Sequence, residues 1–407
     1  MSGRANSLAV VIVHYHTPRL AAAAVAALER DLAAGAEGTA GLEVEWLLVD
    51  NGSDEAGREV LARLPVRLLE PGRNLGYAGG VNLGMASSRA ELVLLMNPDV
   101  LVLPGCAGRL LDCLRAGAAA AGPRFYWDSG RRLLLPPGEA RSRRGELLSW
   151  LAATRDGAWS QMARRRSRRH CRRHWQATAP LPSHALSGSL LAVTRAAWER
   201  VGGFDEGFQL YFEETDWLLR LRRAGLPARF VPAAEAVHLH GRSAALEPRA
   251  AEWFEASARR FRRRHYGAWF AWGLDRLGRA AARRRPLPRD LAGSRAPAAL
   301  PALPALPASG LDLGAYPRPL WVEVSPNPTG FPAAAERLEG GAAEGSWTLP
   351  AEVAARLEGT WWVALSDERG RDLAGFRLDG QAGTLTPPRP AAAAAGTPGH
   401  PPSYASR

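Results

Sequence analysis

Three short apolar runs, each ending in polar residues, constrain this chain more than any other feature. Residues 8–13 read LAVVIV and lead into His14-Tyr15-His16-Thr17. Residues 46–50 read WLLVD and lead into Asn51-Gly52-Ser53, and residues 92–96 read LVLLM and lead into Asn97-Pro98-Asp99. Continuous apolar runs of this length predict parallel strands covered on both faces. A shorter strand is expected at 66–69. Helical signals fall between them. Thr17-Pro18 reads as an N-cap followed by proline at the first helical position, and another helix is expected to begin near Pro104. Alternating strands and helices predict a doubly wound α/β layer structure, whose ligands bind beyond the carboxyl ends of the strands. Asn, Asp, Gly and Pro follow strands for turn reasons alone. The coincidence of three such polar ends is what points to a site.

Beyond the last of these strands the pattern changes. Residues 123–180 show few clear periods and many arginines, and read as a variable basic insert in a first domain spanning 1–282. Within that domain, a strand is expected at 186–193, a helix at 195–201, and a break at Gly202-Gly203. A helix over 213–224 closed by Gly225, a strand over 229–238 and an amphipathic helix over 252–266 follow. Residues 283–315 are rich in Pro, Ala and Leu without core periodicity and read as a linker. A small β-rich module is expected over 316–380, with strands at 320–324, 346–349, 361–365 and 373–378 and a hairpin loop at Asp367-Glu368-Arg369-Gly370. The tail, 381–407, has the composition of a disordered segment.

A chain of 407 residues can bury two cores, and 46% hydrophobic content is that of a globular protein. No apolar run approaches the roughly 20 residues that span a bilayer. Cys106, Cys113 and Cys171 show no metal or CxxC spacing and suit a reducing cytoplasm. The net charge of +12 arises with no lysine, every basic side chain being arginine. That bias, with abundant alanine, is what a GC-rich genome gives, so the charge alone does not imply an anionic partner. No nucleic-acid partner is expected. The stretch from Arg164 to Arg173 is more specific, with seven arginines and no acid. It reads either as a solvated helix or as a contact for the phosphates of an anionic membrane surface or a lipid-linked substrate.

Two further segments carry chemistry. Residues 73–84 read RNLGYAGGVNLG, with glycines that would let backbone approach a ligand and open a helix near Gly79. The spacing is neither G-x-G-x-x-G nor a phosphate-binding loop with Gly-Lys-Ser/Thr, so a Rossmann dehydrogenase and a P-loop ATPase fit poorly. The second segment is Glu213-Glu214-Thr215-Asp216-Trp217. Acids at a helix start and arginines (Arg220, Arg222, Arg223) near its end suit the macrodipole. Crowded carboxylates also repel, which raises a pKa and favours a general base.

Taken together, VVIVHYHT, LLVDNGSDE, RNLGYAGGVNLG, LLMNPDV, SGSLLAVTRAAWERVGGFDEGFQLYFEETDWLLRLRRAG and VPAAEAVHLHGRS resemble the bacterial inverting glycosyltransferases of family 2, especially their rhamnosyltransferase-like branch. The resemblance covers roughly residues 8–245 and implies the GT-A nucleotide-diphospho-sugar transferase fold, a Rossmann-like mixed sheet with helices on both faces. It implies a donor site in which Asp50 binds the base and Tyr15 lines the same pocket. Asn74, Gly79 and Asn82 would shape that site, Arg73 would lie near the phosphates, and Ser187-Gly188 would flank the donor sugar. Asn97 and Asp99 fall at the two ends of the family's DxD motif, leaving Asp99 the only carboxylate there. A divalent metal, Mg or Mn, would be held by Asp99 with His238, whose spacing fits better than that of His240. Glu214 takes the family's catalytic-base position, with Asp216 beside it in a catalytic, structural or acceptor-positioning role, Glu213 on the acceptor side, and Trp217 there too, packing or stacking with substrate. The implied partners are a dTDP- or UDP-sugar donor and a glycan or lipid-linked acceptor. The implied setting is cytoplasmic, peripheral to the inner membrane face, in cell-surface glycan synthesis. Two rival readings are a sugar nucleotidyltransferase and a catalytically weakened sugar-nucleotide-binding scaffold.

Overall fold

The computed structural model describes residues 7–34, 38–139, 141–154, 158–239, 249–284, 310–327, 332–340 and 346–379. His240, the tail and nearly all of the expected linker lie outside the described residues. By contacts the chain divides into two compact units. One comprises Met1–Tyr126, Pro137–Arg141 and Arg173–Ala271, and the other Trp127–Pro136, Ser142–Arg172 and Trp272–Arg407.

The elements run in chain order as β1 (Ser7–His14), α1 (Pro18–Ala33), β2 (Glu43–Asp50), α2 (Glu55–Leu61), β3 (Arg67–Leu69), α3 (Gly76–Ala86), β4 (Leu92–Met96) and β5 (Val100–Val102). Next come α4 (Cys106–Arg115), β6 (Ala120–Tyr126), α5 (Arg143–Thr154), α6 (Ala158–Trp175), β7 (Leu181–Pro182) and β8 (Leu190–Thr194). Then follow α7 (Arg195–Val201), α8 (Glu213–Arg223), β9 (Ala228–His238), α9 (Ala250–Tyr266) and α10 (Ala268–Arg284). The last are β10 (Leu311–Asp312), β11 (Leu320–Ser325), β12 (Ala334–Leu338), β13 (Ser346–Trp347), α11 (Ala351–Ala354), β14 (Thr360–Asp367) and β15 (Asp372–Asp379).

The first unit is built on a mixed sheet in the order β3-β2-β1-β4-β8-β6-β9-β5, with β7 pairing β9. β1, β2, β3 and β4 are mutually parallel, whereas β8 runs antiparallel to β4 and β6, so its start lies beside the end of β4. Both faces of β1 are covered, which is why it contains no polar residue between Ser7 and His14. The glycines of α3 explain one side. A Cβ on Gly84 would lie 2.3 Å from Val11 Cγ1, and one on Gly80 would lie 2.7 Å from Val13 Cγ1. These glycines let α3 pack closely on β1, not a ligand on α3. The helix also opens at Gly76, not near Gly79. Thr17 precedes α1 as expected, but its hydroxyl lies 3.3 Å from His14 Nδ1 and caps no helix N–H. Asp31 of α1 serves α4 instead, accepting from Gly105 N and, at 2.8 Å, from Ala107 N.

The second unit carries the four-stranded antiparallel sheet β12-β11-β14-β15 and the pair β10-β13. Residues 142–172, expected to lack clear periods, form α5 and most of α6 in this unit. The arginine run has a plain period: Arg164, Arg168 and Arg172 recur every four residues and are buried. Arg168 grips the buried Glu323 of β11 through contacts of 2.6–2.9 Å, and Arg172 reaches Glu323 at 3.4 Å and Ser366 at 2.7 Å. Arg164 pairs with Asp372 at 3.1 Å. These three arginines therefore belong to the interior of the unit rather than to a membrane-facing surface. Arg165, Arg166, Arg169 and Arg173 are exposed.

Candidate functional site

The ends of β1 and β2 are tied together. His14 and Asp50 are in register, and His14 Nε2 lies 2.9 Å from Ser53 Oγ. Burial lowers the His14 pKa to about 4, against the opposing pull of Asp50, so the ring is neutral near pH 7. Asp50 is buried and its Oδ1 accepts from Gly52 N at 3.1 Å and Ser53 N at 2.9 Å, fixing the turn while Oδ2 takes no part in it. Tyr15 is half-buried, its ring 3.7 Å from where a Cβ on Gly52 would sit. Asp50 and Tyr15 thus both lie against the turn at Gly52.

Asn51 is a positioning residue that sequence reasoning missed. Its amide donates to Gly76 O at 3.0 Å and accepts from Leu75 N at 3.2 Å, hanging the 74–76 segment from the end of β2. Asn74 closes its own turn, accepting from Gly76 N at 2.8 Å. Gly76 adopts φ +70° and its missing Cβ would lie 2.9 Å from Gln209 O, so a side chain is excluded twice over. Arg73 is exposed beside this turn. Two expected donor-site residues are engaged elsewhere. Asn82 donates to Phe204 O at 2.9 Å and Glu206 Oε1 at 2.8 Å and accepts from Phe204 N at 3.0 Å, so its amide braces the 203–206 loop. A Cβ on Gly79 would meet Leu75 Cβ at 2.9 Å, which makes Gly79 a packing position.

The carboxylates gather around Tyr77, half-buried with its hydroxyl donating to Gly188 O at 2.9 Å. Burial raises the Tyr77 pKa well above its ordinary value, and the charges of Glu213, Glu214 and Asp99 push it the same way. The Tyr77 phenol thus lies within the field of three acids, from α8 and the β4–β5 turn. Gly188 leaves room for Glu214, since a Cβ there would lie 3.0 Å from Glu214 Cγ. Ser187 donates to Ser189 Oγ at 3.1 Å and shapes the same turn.

Burial raises both Glu213 and Glu214, Glu213 well above the carboxylate range because Glu214 adds its charge. Glu214 is held back by the α8 backbone N–H groups and by Arg141. The two carboxylates titrate as an interacting pair. Arg141, a second residue missed from sequence, is only 9% exposed. It lies 2.8 Å from Glu139 and stacks 4.3 Å from the centre of the Phe212 ring, just before α8. Glu213 Oε2 is buried without a hydrogen-bond partner among the described residues.

Two residues of the acid cluster face elsewhere. Asp216 is fully buried, with His265 Nε2 at 2.7 Å, Arg220 Nε at 2.8 Å and Arg264 Nε at 3.0 Å. Burial alone would raise its pKa, but the His265 hydrogen bond and the two guanidiniums hold it below the usual carboxylate range. The expected catalytic role does not suit a carboxylate so engaged; Asp216 fastens α8 to α9. Trp217 has no exposed surface, donates to Gly202 O at 3.0 Å and packs on Trp198 and Phe204. It is core, not an acceptor platform.

Asn97 continues the β4–β8 ladder by donating its N–H to Ser189 O at 2.8 Å, and its buried Oδ1 has no hydrogen-bond partner among the described residues. Asp99 is buried, with Oδ1 3.4 Å from His238 Nε2, because β5 and β9 pair Val100 with His238. Among the described residues no group of three His, Cys, Asp or Glu is placed to hold a metal. The available set is one carboxylate, one imidazole and one amide oxygen. Such O and N donors fit a hard divalent cation as a partial shell, completed by oxygens of a bound diphosphate or water.

Comparison with known proteins gives the family of the chain. The description "Glycosyl transferase family 2" matches residues 9–172, and "Glycosyl transferase family group 2" matches residues 148–322. N-acetylglucosaminyl-diphospho-decaprenol L-rhamnosyltransferase of Mycobacterium tuberculosis (strain H37Rv) is 36% identical over 222 residues, covering 50% of this chain and 69% of that enzyme. Rhamnosyltransferase WbbL of Escherichia coli K12 is 42% identical over 52 residues, covering 13% of this chain and 20% of that protein. Among solved structures, mannosyltransferase PcManGT from Pyrobaculum calidifontis, in complex with GDP-Man and Mn2+, superposes with a TM-score of 0.40 at 14% identity, covering 70% of this chain and 76% of that one. The family match runs through the ends of β1, β2 and β4, and more than two thirds of the mycobacterial enzyme aligns; this chain belongs to glycosyltransferase family 2, as a rhamnosyltransferase-like member with the GT-A fold.

Proposed function

We propose that the chain transfers a sugar, with inversion, from a nucleoside-diphosphate donor to a hydroxyl of a lipid-linked or polysaccharide acceptor in cell-surface glycan synthesis. The observation that carries this reading is Glu214: a carboxylate of raised proton affinity at the head of α8, packed against Gly188, whose carbonyl accepts from the Tyr77 hydroxyl. Glu213 is raised the more strongly of the two, its burial compounded by the charge of Glu214, and Glu214 is assigned the role of base. Glu214 takes the proton of the acceptor hydroxyl as its oxygen bonds to the anomeric carbon. The bond from that carbon to the diphosphate oxygen breaks on the opposite face, and its electron pair leaves with the nucleoside diphosphate. Asp50 and Tyr15 hold the base of the donor, and Ser187 and Gly188 leave space for its sugar.

Asp99 and His238, with Asn97 Oδ1 beside them, would hold the divalent metal, which when bound supplies positive charge to the departing diphosphate. The mycobacterial relative's name specifies a rhamnosyl group and a diphospho-decaprenol carrier. That supports a dTDP-rhamnose or UDP-sugar donor here, and work at the cytoplasmic face of a membrane. Among the described residues no helix is long and apolar enough to cross one.

The test is product analysis with a panel of nucleotide sugars and a polyprenyl-diphosphate acceptor. The reading expects free nucleoside diphosphate, a product of inverted anomeric configuration, and loss of turnover on chelation that Mn2+ restores. Release of pyrophosphate would mark a nucleotidyltransferase, and tight donor binding without turnover would mark a scaffold.

A further inference from the structure

Among the described residues seven large hydrophobic side chains are exposed, and six of them lie on α5, α6 and α10: Leu147, Trp159, Met162, Trp269, Trp272 and Leu277. A monomer's exposed apolar residues are ordinarily scattered singly, and such a concentration marks an interaction surface. On α6 the exposed Trp159, Met162, Arg165, Arg166 and Arg169 fall on one side at helical spacing, opposite the buried Arg164-Arg168-Arg172 side. α6 contains no acid. On α10, the exposed Trp272 and Arg276 stack, with the guanidinium 5.2 Å from the ring centre. The acids of α5 and α10 are withdrawn, Glu146 being buried and Asp275 half-buried. The three helices adjoin. Ser160 donates to Ala152 O at 3.0 Å, Arg166 to Ser142 Oγ at 3.3 Å, and a Cβ on Gly278 would lie 4.0 Å from Trp150 Nε1.

We propose that this side of α5, α6 and α10 beds into the headgroup layer of an anionic bilayer. Trp159, Met162 and Trp272 enter the interface, and Arg165, Arg166, Arg169 and Arg276 meet lipid phosphates. Indole rings favour the boundary between headgroup and acyl chain, where one edge is apolar and the other wet. Arginine stems lie along the apolar layer while the guanidiniums reach phosphate. Charge complementarity selects the occupant: an arginine-rich, acid-poor face repels a basic partner and a second copy of itself. The surface deepens the proposal of a lipid-linked acceptor, because a docked enzyme meets that acceptor at the plane where its carrier is held.

The experiment is co-sedimentation of the full chain with vesicles of phosphatidylcholine, alone or mixed with phosphatidylglycerol. The chain is expected to pellet only with the anionic vesicles and to be released by salt. A surface arginine contributes about fivefold to partitioning, so the triple variant R165Q/R166Q/R169Q is expected to bind about 100-fold more weakly. W159S/M162Q/W272S is expected to lose at least about tenfold. Inorganic phosphate at equal ionic strength should displace no more protein than chloride does. Wild-type chain that fails to pellet with anionic vesicles, either variant pelleting like wild type, or specific displacement by inorganic phosphate overturns the proposal. So does self-association abolished by these variants in a protein that ignores vesicles. Transfer to a short-chain, water-soluble acceptor is expected to be unchanged in both variants. Vesicle binding is read without turnover, so its failure and a failure of the transferase reading are distinguishable.

Discussion

Substituting Asp216 with alanine separates support from chemistry in the first turn of α8. The carboxylate has no exposed surface and three hydrogen-bonding or ion-pairing neighbours, His265 at 2.7 Å, Arg220 at 2.8 Å and Arg264 at 3.0 Å. Removing one partner of a buried pair costs about 3–5 kcal/mol, because the other charge stays buried and uncompensated. Here the cost is moderated on two sides. The Arg264 side chain is 42% exposed and regains water, and Arg220 keeps the carbonyls of Val201, Gly202 and Gly203. His265, at 1% exposure, has no such relief. The expected loss for Asp216→Ala is therefore near the lower end, about 3 kcal/mol. Asp216→Asn, which keeps the shape and one acceptor, is expected to lose about 1–2 kcal/mol. The pH dependence has a definite sign. A carboxylate held below its unfolded pKa contributes its full stabilisation above that value, about 3.9, and loses it as pH falls through the folded one. The wild-type advantage over Asp216→Ala is thus complete at pH 7 and shrinks below about pH 4. Urea unfolding followed by circular dichroism at both pH values measures it, alongside transfer per folded molecule. An unchanged unfolding midpoint with turnover lost a hundredfold would refute the reasoning and return Asp216 to the chemistry.

Other substitutions probe the remaining parts. Arg141→Met removes a positive charge that restrains Glu214, so the acid limb of the kcat/KM profile is expected to move to higher pH; a profile that stays put contradicts the coupling. Glu323→Ala leaves Arg168 and Arg172 buried without their carboxylate, and hydrogen exchange over 310–379 should report destabilisation of about 3–5 kcal/mol. Gly84→Ala drives a Cβ to 2.3 Å from Val11 Cγ1. Overpacking of about 1–3 kcal/mol outweighs a helix-propensity gain of up to about 1 kcal/mol, so a lowered unfolding midpoint with unchanged donor KM is expected.

The strands were legible because their cause is local. A run such as LVLLM at 92–96 states its own burial, and β4 occupies those residues. The helix of residues 195–201 and the closing Gly225 were equally plain, being punctuated by residues whose backbone needs are fixed. What escaped depends on distant partners. For Asp216 and Trp217 the sequence left chemical and structural roles both open beside Glu214, and only α9, nearly 50 residues on, shows why Asp216 is structural. The α3 glycines look made for a ligand until α3 is laid on β1. The four-residue period of Arg164, Arg168 and Arg172 was present in the sequence, but their acid partners lie 151–208 residues away. Asn51 stood among the polar strand ends without a role of its own, and Arg141 gave no signal, since a turn residue and an arginine in an irregular stretch have many ordinary uses. Asp99 and His238 came together through the pairing of β5 with β9, and Asp50 and Tyr15 through the parallel ends of β1 and β2.

The central claim is that Glu214 removes the acceptor proton, and its most direct measurement is the turnover of Glu214→Gln. The amide keeps the shape beside Gly188 but cannot act as a base. A fall in kcat of about 10²–10⁴ is expected, with donor KM and unfolding midpoint unchanged. Turnover within threefold of wild type at every pH would contradict the account.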